Sequence, residues 1–287
     1  MSRPFVFETV LDLRTGVAAA RGQGKRIGFV PTMGALHEGH ASLIRTARQE
    51  SDYVVVSIFV NPTQFGPNED FARYPRTFQA DAAICRDAGA DVIFHPNAET
   101  IYPPGFATLV EVEGLQDVLC GASRPGHFRG VCTVVAKLFH IVRPDVAFFG
   151  QKDAQQAIIL TRMVSDLEMP VEMRILPTVR DRDGLALSSR NRYLTPAQRE
   201  NAPAIYQSLL QTQEQILAGE RDTNRLQSKL RSALERIPEA TVDYAEIVSS
   251  ASLRRSEIIA GQVLVAVAVR LGTTRLIDNL MVDVPGG

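Results

Sequence analysis

Two imidazoles, His37 and His40, stand three residues apart in the run Pro31-Thr32-Met33-Gly34-Ala35-Leu36-His37-Glu38-Gly39-His40. A short apolar strand pattern (27–30) leads into the glycine-punctuated turn. A helix pattern leaves it, with Leu43, Ile44 and Ala47 on one face. The first turn of a helix carries backbone N–H groups without intrahelical partners and partial positive charge, so it receives phosphate. Imidazoles there add hydrogen-bond donors without the desolvation cost of a fixed charge. The chemistry this spacing favours is the holding of a nucleotide triphosphate. The pair alone fits an ordinary helix surface as well, and zinc is a third reading. Zinc is disfavoured, because His-Glu-x-x-His is absent and the cysteines at 85, 120 and 132 lack ligand spacing.

Three more polar clusters also fall directly after strand patterns. Asn61-Pro62-Thr63-Gln64-Phe65-Gly66 follows the β-branched run 53–60, Gly150-Gln151-Lys152-Asp153 follows 146–149, and Thr178-Val179 follows 171–176. In open α/β sheets ligands bind outside the carboxyl ends of the strands, which gives all four clusters a common place. Each taken singly is also ordinary loop composition. Lys152 offers a compact positive charge for phosphate, and a lysine at a helix start is otherwise unfavourable. Asp153 fits an N-cap, a ribose hydroxyl or a metal shell. Asn61, Gln64 and Gln156 are neutral donors and acceptors, suited to a small polyol or carboxylate substrate rather than to covalent catalysis, and equally to a polar surface. Asp181-Arg182-Asp183-Gly184 reads as a turn, since it lacks the distal Glu of a calcium loop. Ser188, Ser189 and Arg190 beyond it fit either a surface loop or a segment closing over a polyphosphate.

The elements that must position these residues alternate in type. Helix patterns at 76–87, 131–142 and 154–167 separate strand patterns at 27–30, 53–60, 91–94, 146–149 and 171–176, which indicates βαβ units in a doubly wound parallel sheet. Residues 98–126 read as loops around a strand at 108–112. Beyond Thr178 the pattern becomes α+β: amphipathic helices at 196–217 and 223–236, then strands at 242–248, 263–271 and 275–282, the last two joined by Gly272-Thr273-Thr274. The expected domains are therefore 1–178 and 179–287. A chain of 287 residues, 45% hydrophobic and 22% charged, can bury a sizeable core. Its net charge of −1 gives no broad basic surface, so neither nucleic acid nor an anionic membrane is an expected partner. Met1-Ser2-Arg3-Pro4-Phe5 carries no apolar signal core, and no apolar run reaches membrane-spanning length. Three unpatterned cysteines suit a reducing compartment, so a cytoplasmic location is expected.

Together the segments resemble the pantoate–β-alanine ligase family, the pantothenate synthetases. The resemblance runs through the histidine motif, Phe59-Val60-Asn61-Pro62-Thr63-Gln64-Phe65, Tyr74-Pro75-Arg76-Thr77, Gly126-His127-Phe128-Arg129-Gly130-Val131, Phe148-Phe149-Gly150-x-Lys152-Asp153 and Ser188-Ser189-Arg190-Asn191. It implies a Rossmann-like sheet of the nucleotidylyl transferase group with a smaller α+β C-terminal domain. It also implies an ATP-dependent ligation in two steps, in which pantoate becomes pantoyl adenylate with release of pyrophosphate and β-alanine then displaces AMP. Carried over by position, Met33, Gly34, Ala35, Leu36, His37, Glu38, Gly39 and His40 line the ATP site, with His40 as proton donor and His37 on phosphate. Gly150, Gln151, Lys152, Asp153, Val179, Leu187, Ser188, Ser189 and Arg190 complete that site. Gln64 and Gln156 hold pantoate with Asn61 beside them, and Gln64 borders β-alanine. The resemblance further implies Mg²⁺ with ATP, partly held by Asp81, a loop ordered by Arg124 and His127, and a homodimer. Gln151, Ala154 and Leu187 depart from the residues usual in the family, which predicts altered packing around the nucleotide. Two rivals stand beside this reading. A nucleotidyltransferase acting on a phosphate ester would want more basic groups near Asn61, Gln64 and Gln156, and a non-catalytic nucleotide-binding module would not need His40, Lys152 and the Ser188–Arg190 segment. An NAD oxidoreductase is disfavoured, because no Gly-x-Gly-x-x-Gly follows the first strand.

Overall fold

Strands that are apolar on both faces need helices on both sides, and the first half of the chain supplies them. The computed structural model describes residues 3–67 and 69–285; Met1 and Ser2 of the N-terminal reading lie outside these. In chain order the elements are β1 (Phe5–Phe7), α1 (Val10–Gly22), β2 (Ile27–Thr32), α2 (Glu38–Glu50), β3 (Tyr53–Ile58), α3 (Phe78–Ala88), β4 (Val92–Phe94), α4 (Ala98–Ile101), α5 (Cys120–Ser123), α6 (His127–Val142), β5 (Val146–Gly150), α7 (Ala154–Asp166) and β6 (Glu172–Leu176). They continue with α8 (Pro196–Asn201), α9 (Ala204–Leu217), α10 (Thr223–Glu235), β7 (Ala240–Ser249), β8 (Gln262–Leu271) and β9 (Thr274–Asp283). Contacts divide the chain into two compact units. The first takes in the chain up to Gln116 with Arg124–Gly150 and Ile159–Pro177; the second takes in Asp117–Ser123, Gln151–Ile158 and the chain from Thr178 onward.

The first unit is the doubly wound α/β sheet. Its six strands run in the order β1-β4-β3-β2-β5-β6, and every pairing is parallel. From β2 the chain builds outward through β3 and β4, then crosses to β5 on the other side. The switch point, where such sheets bind ligands, thus lies between the carboxyl ends of β2 and β5. One face packs Val30, Val54, Val56 and Ile93 against Ala41, Ile44 and Ala47 of α2 and Cys85 and Ala88 of α3. On the other face Phe139 of α6 stands edge-on to Phe29 and Phe149. The second unit carries an antiparallel sheet, β7-β8-β9. Leu226, Leu230 and Leu234 of α10 and Ile205 and Leu209 of α9 share its core with Val263, Val265, Val267 and Val269.

Three expectations need correction. Residues 108–112 form no strand: the Val110 N–H donates to the Thr133 hydroxyl of α6 at 3.0 Å, so a side chain has taken the place of a ladder partner. The helix expected at 196–217 is two helices, broken at Ala202-Pro203, since proline brings no N–H to continue the first and fits the start of the second. The 272–274 turn is a two-residue hairpin, with Leu271 paired to Thr274 and φ +58° at Gly272. Edge strand β1 and helix α1 are additions. The latter is announced only by its cap, Thr9 accepting from the Asp12 N–H at 3.1 Å. Among the described residues no helix is long and apolar enough to cross a membrane.

Candidate active site

The turn after β2 doubles back by adopting left-handed backbone at Gly34 (φ +81°) and Ala35 (φ +51°). A side chain from α3 holds it there. The Asp81 carboxylate, 1% exposed, accepts the Ala35 N–H at 3.0 Å, the Leu36 N–H at 2.8 Å and the Thr77 hydroxyl at 3.2 Å. A Cβ on Gly34 would sit 3.0 Å from that carboxylate. Both Asp81 oxygens thus accept hydrogen bonds from protein donors and hold the turn. Among the described residues no three of His, Cys, Asp and Glu gather where they could hold a metal ion.

The two imidazoles cap α2 reciprocally. His37 Nδ1 accepts the Gly39 N–H at 3.2 Å, and His40 Nδ1 accepts the His37 N–H at 3.3 Å. This is the exchange that Ser and Glu make in an ordinary capping box. A ring nitrogen that accepts carries no proton, so in the neutral rings the hydrogen is on Nε2 of both. The rings lie 4.2 Å apart between centroids. The two Nε2–H groups put side-chain donors at the start of α2, after the carboxyl end of β2, which is chemistry suited to an anion. Gly34, Ala35 and Leu36 are buried, while Glu38 is exposed and pairs with Arg45.

Beside β3 the Asn61–Gln64 segment is a 3-10 turn capped by Asn61. Asn61 is 1% exposed and is directed into the protein. Its Nδ2 donates to Gln64 Oε1 and to the Gly130 carbonyl, each at 3.1 Å. Its Oδ1 accepts the Thr63 hydroxyl at 2.9 Å and the Tyr102 hydroxyl at 2.8 Å. Burial pushes the Tyr102 phenol up, against the pull of those hydrogen bonds, so it stays a donor. Asn61 acts on Gln64, whose Nε2 reaches the sulfur of Met33 at 2.9 Å. Helix α6 comes so close to this turn that a Cβ on Gly130 would lie 2.6 Å from the Thr63 carbonyl carbon.

Arg124 and His127 meet the same turn. His127 Nδ1 donates to the Gln64 carbonyl at 2.8 Å, and Arg124 donates to His127 Nε2 at 3.1 Å and to the Gln64 carbonyl at 3.3 Å. Arg124 also forms paired bonds to Glu69 at 2.7 and 2.5 Å. Burial raises the Glu69 carboxyl, but hydrogen bonding to and the charge of Arg124 outweigh it and hold the group below the ordinary carboxylate range. The chain carboxylate–guanidinium–imidazole–carbonyl fixes the backbone from which Gln64 projects.

Within the second unit, Gln151–Asp153 form a 3-10 turn leading into α7. Gln151 and Lys152 are half-buried and Asp153 is exposed. Gln156 is half-buried on α7, while its neighbour Gln155 is buried and accepts the Cys120 N–H at 3.0 Å. Val179 and Leu187 are joined, the Leu187 N–H donating to the Val179 carbonyl at 3.0 Å. Ser188 caps the 3-10 turn Ser189–Tyr193 by accepting the Arg190 N–H at 3.2 Å. Sequence reading did not find Asn279, whose Nδ2 donates to the carbonyls of Gln151 and Lys152 at 3.0 Å each. Its one signal was the polar pair Asp278-Asn279 inside an apolar strand. Burial, with the nearby charge of Asp81 in one case, pushes the Cys85 and Cys132 thiols up to about 12. Neither is a thiolate nucleophile at neutral pH.

Comparison with known proteins places this geometry. The sequence model described as pantoate-beta-alanine ligase matches residues 5–281. Pantothenate synthetase of Moorella thermoacetica is 55% identical over 279 residues, covering 97% of this chain and 99% of the relative. That of Thermotoga neapolitana is 54% identical, covering 96% and 98%. The crystal structure of pantothenate synthetase from Thermus thermophilus superposes with a TM-score of 0.91 at 46% identity, over 96% of this chain and 98% of that one. The pantoate-beta-alanine ligase of Francisella tularensis, complexed with beta-gamma ATP and beta-alanine, superposes with a TM-score of 0.78 at 36% identity, over 97% of each chain.

Proposed function

This chain belongs to the pantoate–β-alanine ligase family, and we propose that it makes pantothenate by way of a pantoyl adenylate. It is a ligase that joins pantoate to β-alanine at the expense of ATP. In the first step a pantoate carboxylate oxygen bonds to the α-phosphorus of ATP, the bond to the bridging oxygen breaks, and pyrophosphate leaves. In the second the β-alanine amine bonds to the acyl carbon, AMP leaves with the electrons of the acyl–oxygen bond, and the amine gives up a proton. Activation comes from the adenylate, so no covalent enzyme intermediate is required.

The single observation that carries this reading is the reciprocal cap of His37 and His40, which directs the hydrogen of each ring to Nε2 at the switch point. His40 donates to charge growing on the transferring phosphate, and His37 contacts phosphate. Lys152, Ser188, Ser189 and Arg190 neutralise the rest of the triphosphate, so positioning and charge supply most of the acceleration. The remaining ATP contacts are Met33, Gly34, Ala35, Leu36, Glu38, Gly39, Gly150, Gln151, Asp153, Val179 and Leu187. Gln64 and Gln156 bind pantoate, Gln64 borders β-alanine, and Asn61 orients Gln64. Magnesium enters as part of the Mg·ATP substrate, carried by the phosphates, in keeping with the commitment of Asp81 to backbone N–H groups. The protein works in the cytoplasm, a reading favoured by three free, buried cysteines, and as a homodimer, which sedimentation would test.

The reaction is tested by incubating the protein with Mg·ATP and following pyrophosphate and AMP. Pyrophosphate should require pantoate, and AMP and pantothenate should require β-alanine as well. Nucleotide binding without pantoate-dependent pyrophosphate would overturn the acceptor.

A further inference from the structure

Strand β9 carries two adjacent polar residues that the reaction above does not use, Asp278 and Asn279. Successive strand residues face opposite sides. Asp278 shares the face of Leu276 and Val282, which belong to the apolar core of the second unit. Its carboxylate is nevertheless satisfied, by paired bonds from Arg180 at 2.6 and 2.8 Å. Arg180 lies 3.6 Å over the Tyr206 ring and donates to the Gly184 carbonyl at 3.1 Å. A buried carboxylate persists only with such a partner, so this pair pins the strand from its core face.

Asn279, 3% exposed, lies on the other face. Both protons of its amide go to the carbonyls of Gln151 and Lys152, 3.0 Å away in each case. Its Oδ1 accepts from the Gln151 side chain at 3.4 Å, and its own N–H is held by Asp278 Oδ1 at 2.8 Å. The two carbonyls bracket the lysine, so one side chain fixes the backbone on either side of it.

We infer that Asn279 is a positioning residue for adenylate formation: it sets the direction in which Lys152 leaves the backbone, and the Asp278–Arg180 pair holds the strand from which it does so. The inference rests on the reading of Lys152 as a phosphate contact. A carboxylate could not serve at 279, because two carbonyls need two donors and it would offer none.

The test is a double-mutant cycle between Asn279→Ala and Lys152→Ala, read as equilibrium binding of α,β-methylene-ATP with Mg²⁺ and therefore without turnover. Asn279→Ala alone should weaken binding about tenfold, with the KM for β-alanine unchanged. In the Lys152→Ala background the same change should have almost no further effect, since the group it aims is gone. Asn279→Ser keeps one donor and should recover part of the loss; it also carries the cycle if the alanine variant does not fold. Equal weakening in both backgrounds would make Asn279 merely structural and overturn the inference, as would wild-type binding by Asn279→Ala. Absence of pantoate-dependent pyrophosphate in the unmodified protein would remove the reaction but leave this cycle readable. Unchanged analogue binding by Lys152→Ala would remove the phosphate contact and the inference with it.

Discussion

The turn after β2 and the turn after β5 follow neighbouring strands of one sheet, yet they are held in opposite ways. His37 and His40 cap their own helix through atoms two and three residues apart. Lys152 is held by Asn279, 127 positions further along the chain. In the first turn the groups proposed to meet phosphate also build the turn; in the second the proposed phosphate contact and the group that aims it are separate residues on separate elements. Damage to the first should therefore mix loss of chemistry with loss of structure, and damage to the second should separate them.

Lys152→Ala sharpens that contrast most. It should lower kcat/KM for pyrophosphate release by about 100- to 1,000-fold while stability stays within about 0.5 kcal/mol. A large fall in Tm would show that the lysine builds its turn as the histidines do. Asp81→Asn comes next. Replacing one acceptor oxygen by NH₂ leaves a buried backbone N–H of the histidine turn without its partner, at a cost of about 1–3 kcal/mol. Thermal unfolding should show that loss, and the Mg²⁺ concentration for half-maximal activity should not move. A shift in the magnesium requirement with stability intact would return Asp81 to the metal.

Legibility followed the same division. The histidine motif, the strands that place it and the helix it starts are readable because they are local: periodicity, a glycine turn and a cap lie within a dozen residues. Asp81 is visible as an acidic residue, but its partners, the N–H groups of Ala35 and Leu36, are some 45 positions away, and nothing near Asp81 announces them. Asn279 was hidden in the same way, and Asn61 reads as a ligand residue although its hydrogen bonds run inward to Gln64, Gly130 and Tyr102. At the level of elements, residues 108–112 carry the β-branched Thr108, Val110 and Val112 of a strand, yet strand formation needs a partner in the ladder, and Thr133 had taken the Val110 N–H. The interruption at Pro203 has a local signal, a proline inside the amphipathic pattern.

Smaller changes probe how rigidly the Gln64 turn is built. Gly130→Ala puts a methyl group where the Thr63 carbonyl stands, 2.6 Å from its carbon. Helix and turn must part, costing about 1–3 kcal/mol and raising the KM for pantoate more than that for ATP. Equal rises in both would mean the turn serves no one substrate. Glu69→Gln should do least, about 1 kcal/mol at neutral pH. Because the folded protein holds this carboxyl below its ordinary range, its stabilisation is complete above the unfolded value of about 4.3 and is lost as pH falls through the folded value. Urea unfolding of the two proteins should therefore differ at about pH 7 and converge as pH falls through the folded value; a difference that persisted below it would assign the effect to packing.

The most direct test of the account separates the two half-reactions of His40→Ala. Pantoate-dependent pyrophosphate release should fall by about a hundredfold, while supplied pantoyl adenylate and β-alanine should still give pantothenate at the rate of the unmodified protein. Equal loss in both half-reactions would contradict a role for His40 in phosphate transfer and leave it only its part in capping α2.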